Sequence, residues 1–313
     1  MKILLTGATG FIGKQLVSWL LAQQEDIITC GRHANSLPGV THLQVSPFTI
    51  ENVTTALQDL NFDACIHLAA AGVHPTDRNS DQLIQINSVL PATLVAAAAR
   101  AMAKAVIIVG SSAEYQQPPA NTLLTENDPL EMQKLYGATK AAGSLLSLAQ
   151  AHTLQIPTAV IRLFNVFGYG EAPHRLLPSL INGLLVQQPV KLSVGTQVRD
   201  FVYVKDVCKG LYMSLNALIR GTMTTGVYHL ATGVEHSVAY FCKTTARLLK
   251  QDEKLLAFGS QPMRPDDLPY VVGSASSLQH ACGWQPDYTL TTGLQDAIND
   301  YLTLSNKGVA YGK

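Results

Sequence analysis

Tyr136-Gly137-Ala138-Thr139-Lys140 sets a phenol and an ammonium one helical turn apart on the same face. An isolated phenol titrates near pH 10, and a cation within about 4–6 Å favours the phenolate by about 1–3 units, so the pair suits proton transfer at an oxygen. The lysine alone does not bring the phenol to neutrality. Proton abstraction calls for a further positive charge such as an oxidised nicotinamide, whereas proton donation needs only the neutral phenol. More hydroxyls close the apolar run Val106-Ile107-Ile108-Val109-Gly110-Ser111-Ser112. A serine at such a strand end can hydrogen-bond a carbonyl or alkoxide held beside the phenol. Taken singly, a Tyr-x-x-x-Lys pair also serves as a solvated surface pair, and paired serines also cap loops.

A third element supplies a site for an anion. Gly7-Ala8-Thr9-Gly10-Phe11-Ile12-Gly13 separates the apolar run Lys2-Ile3-Leu4-Leu5-Thr6 from the amphipathic stretch Lys14 to Leu21. Strand, glycine turn and helix in that order form a dinucleotide pyrophosphate site. Gly7 takes the positive φ of the turn, Gly10 lets the backbone approach the phosphates, and Gly13 lets helix and strand pack closely. The helix N-terminus then presents free N–H groups to the anion.

These three elements need a scaffold, and the rest of the chain provides its pattern. Apolar runs at Ile3–Thr6, Ile27–Cys30, Leu43–Ser46, Ala64–Ala69, Val106–Ser111 and Thr158–Phe164 alternate with helical periodicity at Gly10–Ala22, Ile50–Leu60, Asp81–Met102 and Lys134–Thr153. That alternation predicts an α/β fold with a doubly wound parallel sheet. Leu135, Ala138, Ala142, Leu145, Leu146 and Ala149 form one broad apolar face on the last of these helices, fit either for the core or for a dimer seam. Beyond Gly168 the pattern turns irregular, then Lys205–Ala217 reads as helix and Val227–Ala231 as strand. The division expected is a dinucleotide-binding domain over 1–168 and 205–233, with a smaller, discontinuous C-terminal substrate domain over 169–204 and 234–313.

Composition narrows the classes. The chain has 313 residues, 47% hydrophobic and 14% charged, with a formal net charge of zero, which gives no basic surface for nucleic acid. Cys30, Cys65, Cys208, Cys242 and Cys282 stand singly, so no metal site and no disulfide framework is expected, and reduced thiols fit a cytoplasmic protein. The apolar stretch from Leu94 to Val109 is interrupted by Arg100 and Lys104, so no membrane span is expected there.

Taken together, Gly7-x-x-Gly10-x-x-Gly13, Ser111, Tyr136 and Lys140 resemble the extended short-chain dehydrogenase/reductase family, within it the sugar-nucleotide epimerases, dehydratases and ketoreductases. The likeness continues through His67-Leu68-Ala69-Ala70, Asn87, Arg162-Leu163-Phe164-Asn165, Arg199-Asp200-Phe201, Arg264-Pro265-Asp266-Asp267 and Gly283-Trp284-Gln285-Pro286. An ungapped match ending in Tyr115 favours Ser111 over Ser112 as the catalytic hydroxyl. The resemblance implies a Rossmann sheet whose cofactor touches Gly7, Gly10, Phe11, Ile12, Gly13, Leu68, Ala69, Ala70, Asn87, Tyr136, Lys140 and Phe164. It further implies a nucleotide-sugar substrate held by Asn165, the Leu176-Leu177-Pro178 segment, Arg199 and Arg264, and a homodimer through a four-helix bundle. Without the family, Arg199-Asp200 reads as a surface ion pair.

Three departures sharpen the expectation. After Ile27–Cys30 stands Arg32 and no acid, with Asp26 at the wrong end, so NADP(H) is preferred to NAD(H). Ser46-Pro47-Phe48 replaces the aspartate the family often carries near the adenine. Ser112-Ala113 replaces the paired acids of the dehydratases, with Glu114 displaced. The expected reaction is NADPH-dependent reduction of a 4-keto-6-deoxy sugar nucleotide, the alternative is a 4-epimerase holding NAD tightly, and a more distant one is a non-catalytic cofactor-sensing regulator.

Overall fold

The computed structural model describes residues 1–33, 37–73, 79–119, 121–263 and 267–305. Strands β1 (Lys2–Thr6), β2 (Asp26–Gly31), β3 (Thr41–Gln44), β4 (Ala64–His67), β5 (Ala105–Ser111) and β6 (Thr158–Leu163) alternate with helices α1 (Phe11–Ala22), α2 (Ile50–Ala56), α3 (Ser80–Leu83), α4 (Leu90–Arg100) and α5 (Leu135–Leu154). The chain then forms β7 (Asn165–Phe167), α6 (Leu176–Leu185), β8 (Val190–Leu192), β9 (Val198–Arg199), β10 (Phe201–Tyr203), α7 (Val204–Ile219) and β11 (Gly226–Leu230). The remainder is β12 (His236–Ser237), α8 (Val238–Leu248), β13 (Leu256–Phe258), β14 (Tyr270–Val271), α9 (Ser276–Cys282) and α10 (Leu290–Ser305).

Seven strands make one parallel sheet in the order β11-β6-β5-β4-β1-β2-β3. The inner strands β1, β2, β4, β5 and β6 are buried almost throughout, which is why they read as unbroken apolar runs, while the edge strands β3 and β11 are only partly covered. Ile3, Leu5, Ile66, Ile107 and Ile161 enter one core cluster, while Leu4, Cys65, Val106, Ile108 and Val160 enter the other. Strand order reverses between β1 and β4, so the crevice for a ligand lies at their C-terminal ends. The smaller strand groups β13-β8 and β12-β9-β14 come from the irregular C-terminal segments, while β11 returns to the main sheet beside β6.

The stretch expected as one helix over Asp81–Met102 is instead α3, a π-helical segment over Ile84–Val89, and α4. Pro91 accounts for the break: it has no N–H to donate to the carbonyl of Asn87, so the ladder widens there. The helix stops at Arg100 because Met102 adopts φ 54° and Ala103 N–H bonds back to Ala98 O, a Schellman-type end without its usual glycine. Ser80–Arg100 is long and apolar enough to cross a membrane, but half of the stretch is buried, with Leu90, Leu94, Val95, Ala97 and Ala98 packed inside the fold.

The α5 face corrects the core alternative. Its inward residues are small or polar, among them Gly137, Thr139, Ala141, Gly143, Ser144 and Ser147, whereas Leu135, Leu145 and Leu146 stay 42%, 57% and 47% exposed. A helix facing inward with glycine and serine approaches its neighbours closely, and its large apolar side chains are left outside.

Candidate active site

Gly7 has φ +76°, and a Cβ on it would stand 2.6 Å from Ala69 N, so the turn after β1 touches the loop after β4 backbone to backbone. A Cβ on Gly13 would stand 2.1 Å from Gly7 O, which fixes α1 directly over that turn. Gly10 caps α1 with no side-chain hydrogen bond, leaving the first N–H groups, those of Phe11 and Ile12 included, without a side-chain cap. These features fit a dinucleotide pyrophosphate, because side chains at Gly7 and Gly13 would force apart the backbone that forms the turn, and the uncapped N–H groups at the start of α1 are left for an anion.

Next to the cradle lies a cavity of about 420 Å³ lined by Arg32, Phe48, Ile50, Ala70, Asp81 and Ile86 among others. Arg32 is exposed just beyond β2, and Asp26 opens that strand at the far end. Asn87 does not line this cavity. Its Oδ1 accepts from Ala71 N–H at 2.9 Å, while Nδ2 donates to Ala71 O at 3.1 Å and to Thr139 Oγ1 at 3.3 Å. It therefore ties the loop after β4, with Leu68, Ala69 and Ala70, to the helix that carries Tyr136 and Lys140.

That helix is held tightly at its first turns. Glu131 Oε1 accepts from Gln133 N–H at 2.7 Å and Lys134 N–H at 3.2 Å, ordering the entry to α5 where Lys134 supplies no cap. Ser88 Oγ donates to Thr139 O at 2.9 Å, and Thr139 Oγ1 donates to Tyr136 O at 3.0 Å. A Cβ on Gly137 would meet Ala113 O at 2.1 Å, and one on Gly143 would meet Asn87 O at 2.0 Å. So the residue after Tyr136 abuts the loop of Ser111 and Ser112 with no room for a side chain. Tyr136 is half-buried, whereas Lys140 is buried and donates from Nζ to Val109 O at 2.7 Å. Burial lowers the Lys140 pKa, against an opposing pull from Glu114.

Ser111 and Ser112 are half-buried at the C-terminal edge of β5. Ser111 Oγ accepts from Ala113 N–H at 3.1 Å, so its own hydrogen is the one it has to offer outward. Glu114, by contrast, is fully buried and bonded to Arg162, Ser144 and the Ser111 N–H. It is part of the interior and faces no ligand.

A second cavity, about 440 Å³, is lined by Asn165, Leu177, Gln197, Arg199 and Asp267 among others. Phe164 sits just before it at 7% exposure, edge-on to His229. The surface-pair reading of Arg199-Asp200 is overturned. Arg199 is buried and bonds Asp267 and Val198 O, while Asp200 accepts from Thr232 and Gly233 N–H, both at 2.9 Å. Arg264 lies outside the described residues. Glu171, Gln197 and Asp267 were not expected at this cavity: Gln197 and Asp267 meet across 70 residues with no local spacing to announce them, whereas Glu171 is held locally by Gly168 N–H and Arg175.

With this geometry in view, comparison with known proteins is specific. The model of the NAD dependent epimerase/dehydratase family matches residues 3–239. Among curated relatives, the low-salt glycan biosynthesis protein Agl12 of Haloferax volcanii is 26% identical over 96% of this chain and 99% of its own. UDP-glucuronate 4-epimerase of Thermodesulfobacterium geofontis is 24% identical over 95% and 94%, and GDP-6-deoxy-D-talose 4-dehydrogenase of Aggregatibacter actinomycetemcomitans is 25% identical over 93% and 94%. Among solved structures, MoeE5 in complex with UDP-glucose and NAD superposes with a TM-score of 0.84, at 26% identity and coverage of 99% of this chain and 100% of that one. The parallel sheet is that of its relatives, and the chain is an enzyme that belongs to the NAD-dependent epimerase/dehydratase family of extended short-chain dehydrogenases/reductases.

Proposed function

We propose that the protein is an NADPH-dependent reductase of a 4-keto-6-deoxy sugar nucleotide. The observation that carries this is the fate of the acids near Ser111. Ser112 and Ala113 offer no carboxyl, and Glu114 is locked to Arg162 in the interior, so the loop supplies no acid to expel water from the sugar. What remains is hydride transfer at one carbon. When bound, the nicotinamide cofactor supplies or accepts that hydride; Gly7, Gly10, Phe11, Ile12 and Gly13 would hold its pyrophosphate, and Lys140 its ribose. Tyr136 donates its phenolic proton to the carbonyl oxygen being reduced, and Ser111 hydrogen-bonds the same oxygen as negative charge develops. Arg199 binds the substrate diphosphate by exchanging its Asp267 partner for phosphate oxygens, which its planar fork matches. Arg264 would join it, with Asn165 and Leu177 lining the same pocket.

Arg32 supports NADP(H), since an exposed guanidinium just beyond β2 is placed for a 2′-phosphate and the C-terminal end of β2 carries no acid, the one carboxylate among the described residues lining that cavity being Asp81 of α3. The 4-dehydrogenase relative favours the same chemistry. A 4-epimerase is the second reading, supported by the UDP-glucuronate 4-epimerase relative and by the NAD bound in MoeE5. In either reading we place the protein in the cytoplasm, divided at 1–168 with 205–233 against the rest, and dimeric through the outward leucines of α5. Denaturing the purified protein, identifying any released nucleotide, and titrating the empty fraction with NADPH and NADH separates the two readings. Preference for NADPH by about tenfold or more, the worth of one charge-assisted contact, upholds the reductase; retained NAD overturns it.

A further inference from the structure

Glu114 is a fully buried carboxylate beside the site, and the reaction above makes no use of it. Its Oε1 accepts from Ser111 N–H at 2.8 Å, and its Oε2 accepts from Arg162 Nε–H and from Ser144 Oγ–H, both at 2.7 Å. Those donors lie on three elements: the end of β5, β6, and α5 one turn beyond Lys140. Gly110 leaves room for the arrangement, since a Cβ there would lie 2.5 Å from Glu114 Oε1 and 2.9 Å from Arg162 Cγ. Arg162 continues the network from Nη1 to the Tyr115 hydroxyl and lies over the Tyr115 ring, 4.4 Å from its centre.

A buried ion pair is weak evidence of stabilisation, because a well-packed apolar pair of the same volume often does as well or better. Fixed geometry is what the charges add. Ser111 accepts from Ala113 N–H while donating its own N–H to Glu114, a reciprocal capping box that sets where the Ser111 hydroxyl points. The same carboxylate is bonded to α5, so the position of Ser111 is referenced to the helix bearing Tyr136 and Lys140.

We propose that Glu114 is a positioning residue: through Ser111 N–H and Ser144 it holds the Ser111 hydroxyl in register with Tyr136. This rests on the reading of Ser111 as the hydroxyl that bonds the reacting oxygen. The test is a double-mutant cycle of Ser111→Ala and Glu114→Gln, assayed with whichever UDP-, dTDP- or GDP-linked 4-keto-6-deoxyhexose the wild type reduces. Glu114→Gln is expected to lower kcat between about tenfold and a hundredfold, as displacements near 1 Å do, with KM little changed. In the Ser111→Ala background the same substitution is expected to cost almost nothing further. Amide hydrogen exchange of the peptide spanning 107–115 should accelerate, while NADPH binding stays intact. Glu114→Met with Arg162→Met keeps an apolar, foldable interior and should show the same kcat loss and the same dependence on Ser111. A loss that multiplies in full with that of Ser111→Ala, or no loss in either variant, overturns the proposal. A fully active Ser111→Ala enzyme overturns the underlying reading of Ser111 instead, and the two failures are thereby told apart.

Discussion

Gly137→Ala runs against helix propensity in a way that the geometry makes measurable. In the interior of an exposed helix the change would stabilise the protein by about 0.5–1 kcal/mol. Here the new Cβ would lie 2.1 Å from Ala113 O and 2.8 Å from Glu131 Cγ. The nearer atom is backbone, so no rotamer change relieves it, and α5 must retreat from the 112–114 loop by roughly 1 Å to reach a tolerable contact. Overpacking of this kind costs about 1–3 kcal/mol, so a net destabilisation of about 1–2 kcal/mol is expected after the propensity gain. The retreat separates Tyr136 from Ser111, and a displacement of about 1 Å in a catalytic constellation costs on the order of a hundredfold in turnover. Thermal unfolding and steady-state kinetics on the same preparation give both numbers. An alanine variant that melts higher than wild type and turns over normally would refute the close packing of helix against loop, and with it the mutual placement of the two hydroxyls.

Tyr136→Phe should retain NADPH binding and lose about a hundredfold to ten-thousandfold in kcat, the range of a positioned proton donor; full biological function without the hydroxyl would favour the cofactor-sensing regulator. Burial raises the Glu171 carboxyl to about 7, so the folded state holds the extra proton between the ordinary value of 4.5 and 7, and stability falls as pH rises through that window. Glu171→Gln should therefore raise unfolding free energy by about 1–3 kcal/mol at pH 8 and by little at pH 5, read from denaturant titrations at both. His67 has the opposite sign: burial, helped by Lys140, holds it near 3, so the unfolded state binds the extra proton and stability drops as pH falls from 6.5 toward 3. His67→Gln should flatten that acid limb by an amount on the order of 3–5 kcal/mol at pH 3; an unchanged limb would mean that the ring is protonated without loss.

How much of this was legible beforehand follows from the range of each interaction. The cradle and the Tyr136–Lys140 pair are local, spanning seven and five residues, and local spacing reports them faithfully. The sheet was legible for a different reason: strands covered on both faces carry an unmistakable apolar signal. Contacts over long separations were not legible. Glu114 reads in the sequence only as an acid out of place for catalysis, and nothing local announces that Arg162, 48 residues on, holds it. Without the family resemblance, Arg199 reads as paired with its neighbour Asp200, yet its partner is Asp267, 68 residues on, while Asp200 serves the turn at Thr232 and Gly233. Helix boundaries failed where the usual residue was missing, as at Met102, which takes the left-handed end normally given to glycine. Pro91, by contrast, was a visible signal for the π-helical break that apolar periodicity masked. Apolar periodicity on α5 left direction open between core and dimer seam, since a helix can present its leucines outward when small residues let it dock closely.

Hydride delivery from NADPH to C4 is the centre of the account, and NADPH carrying deuterium at its transferable position tests it directly. The enzyme would be incubated with this NADPH and UDP-, dTDP- and GDP-linked 4-keto-6-deoxyhexoses, and the products analysed by mass spectrometry and NMR. The account requires one deuterium at C4 for each NADPH consumed with at least one of these sugars. Interconversion of C4 epimers of a nucleotide sugar, with retained NAD, no deuterium in the product and no net NADPH consumption, would contradict it.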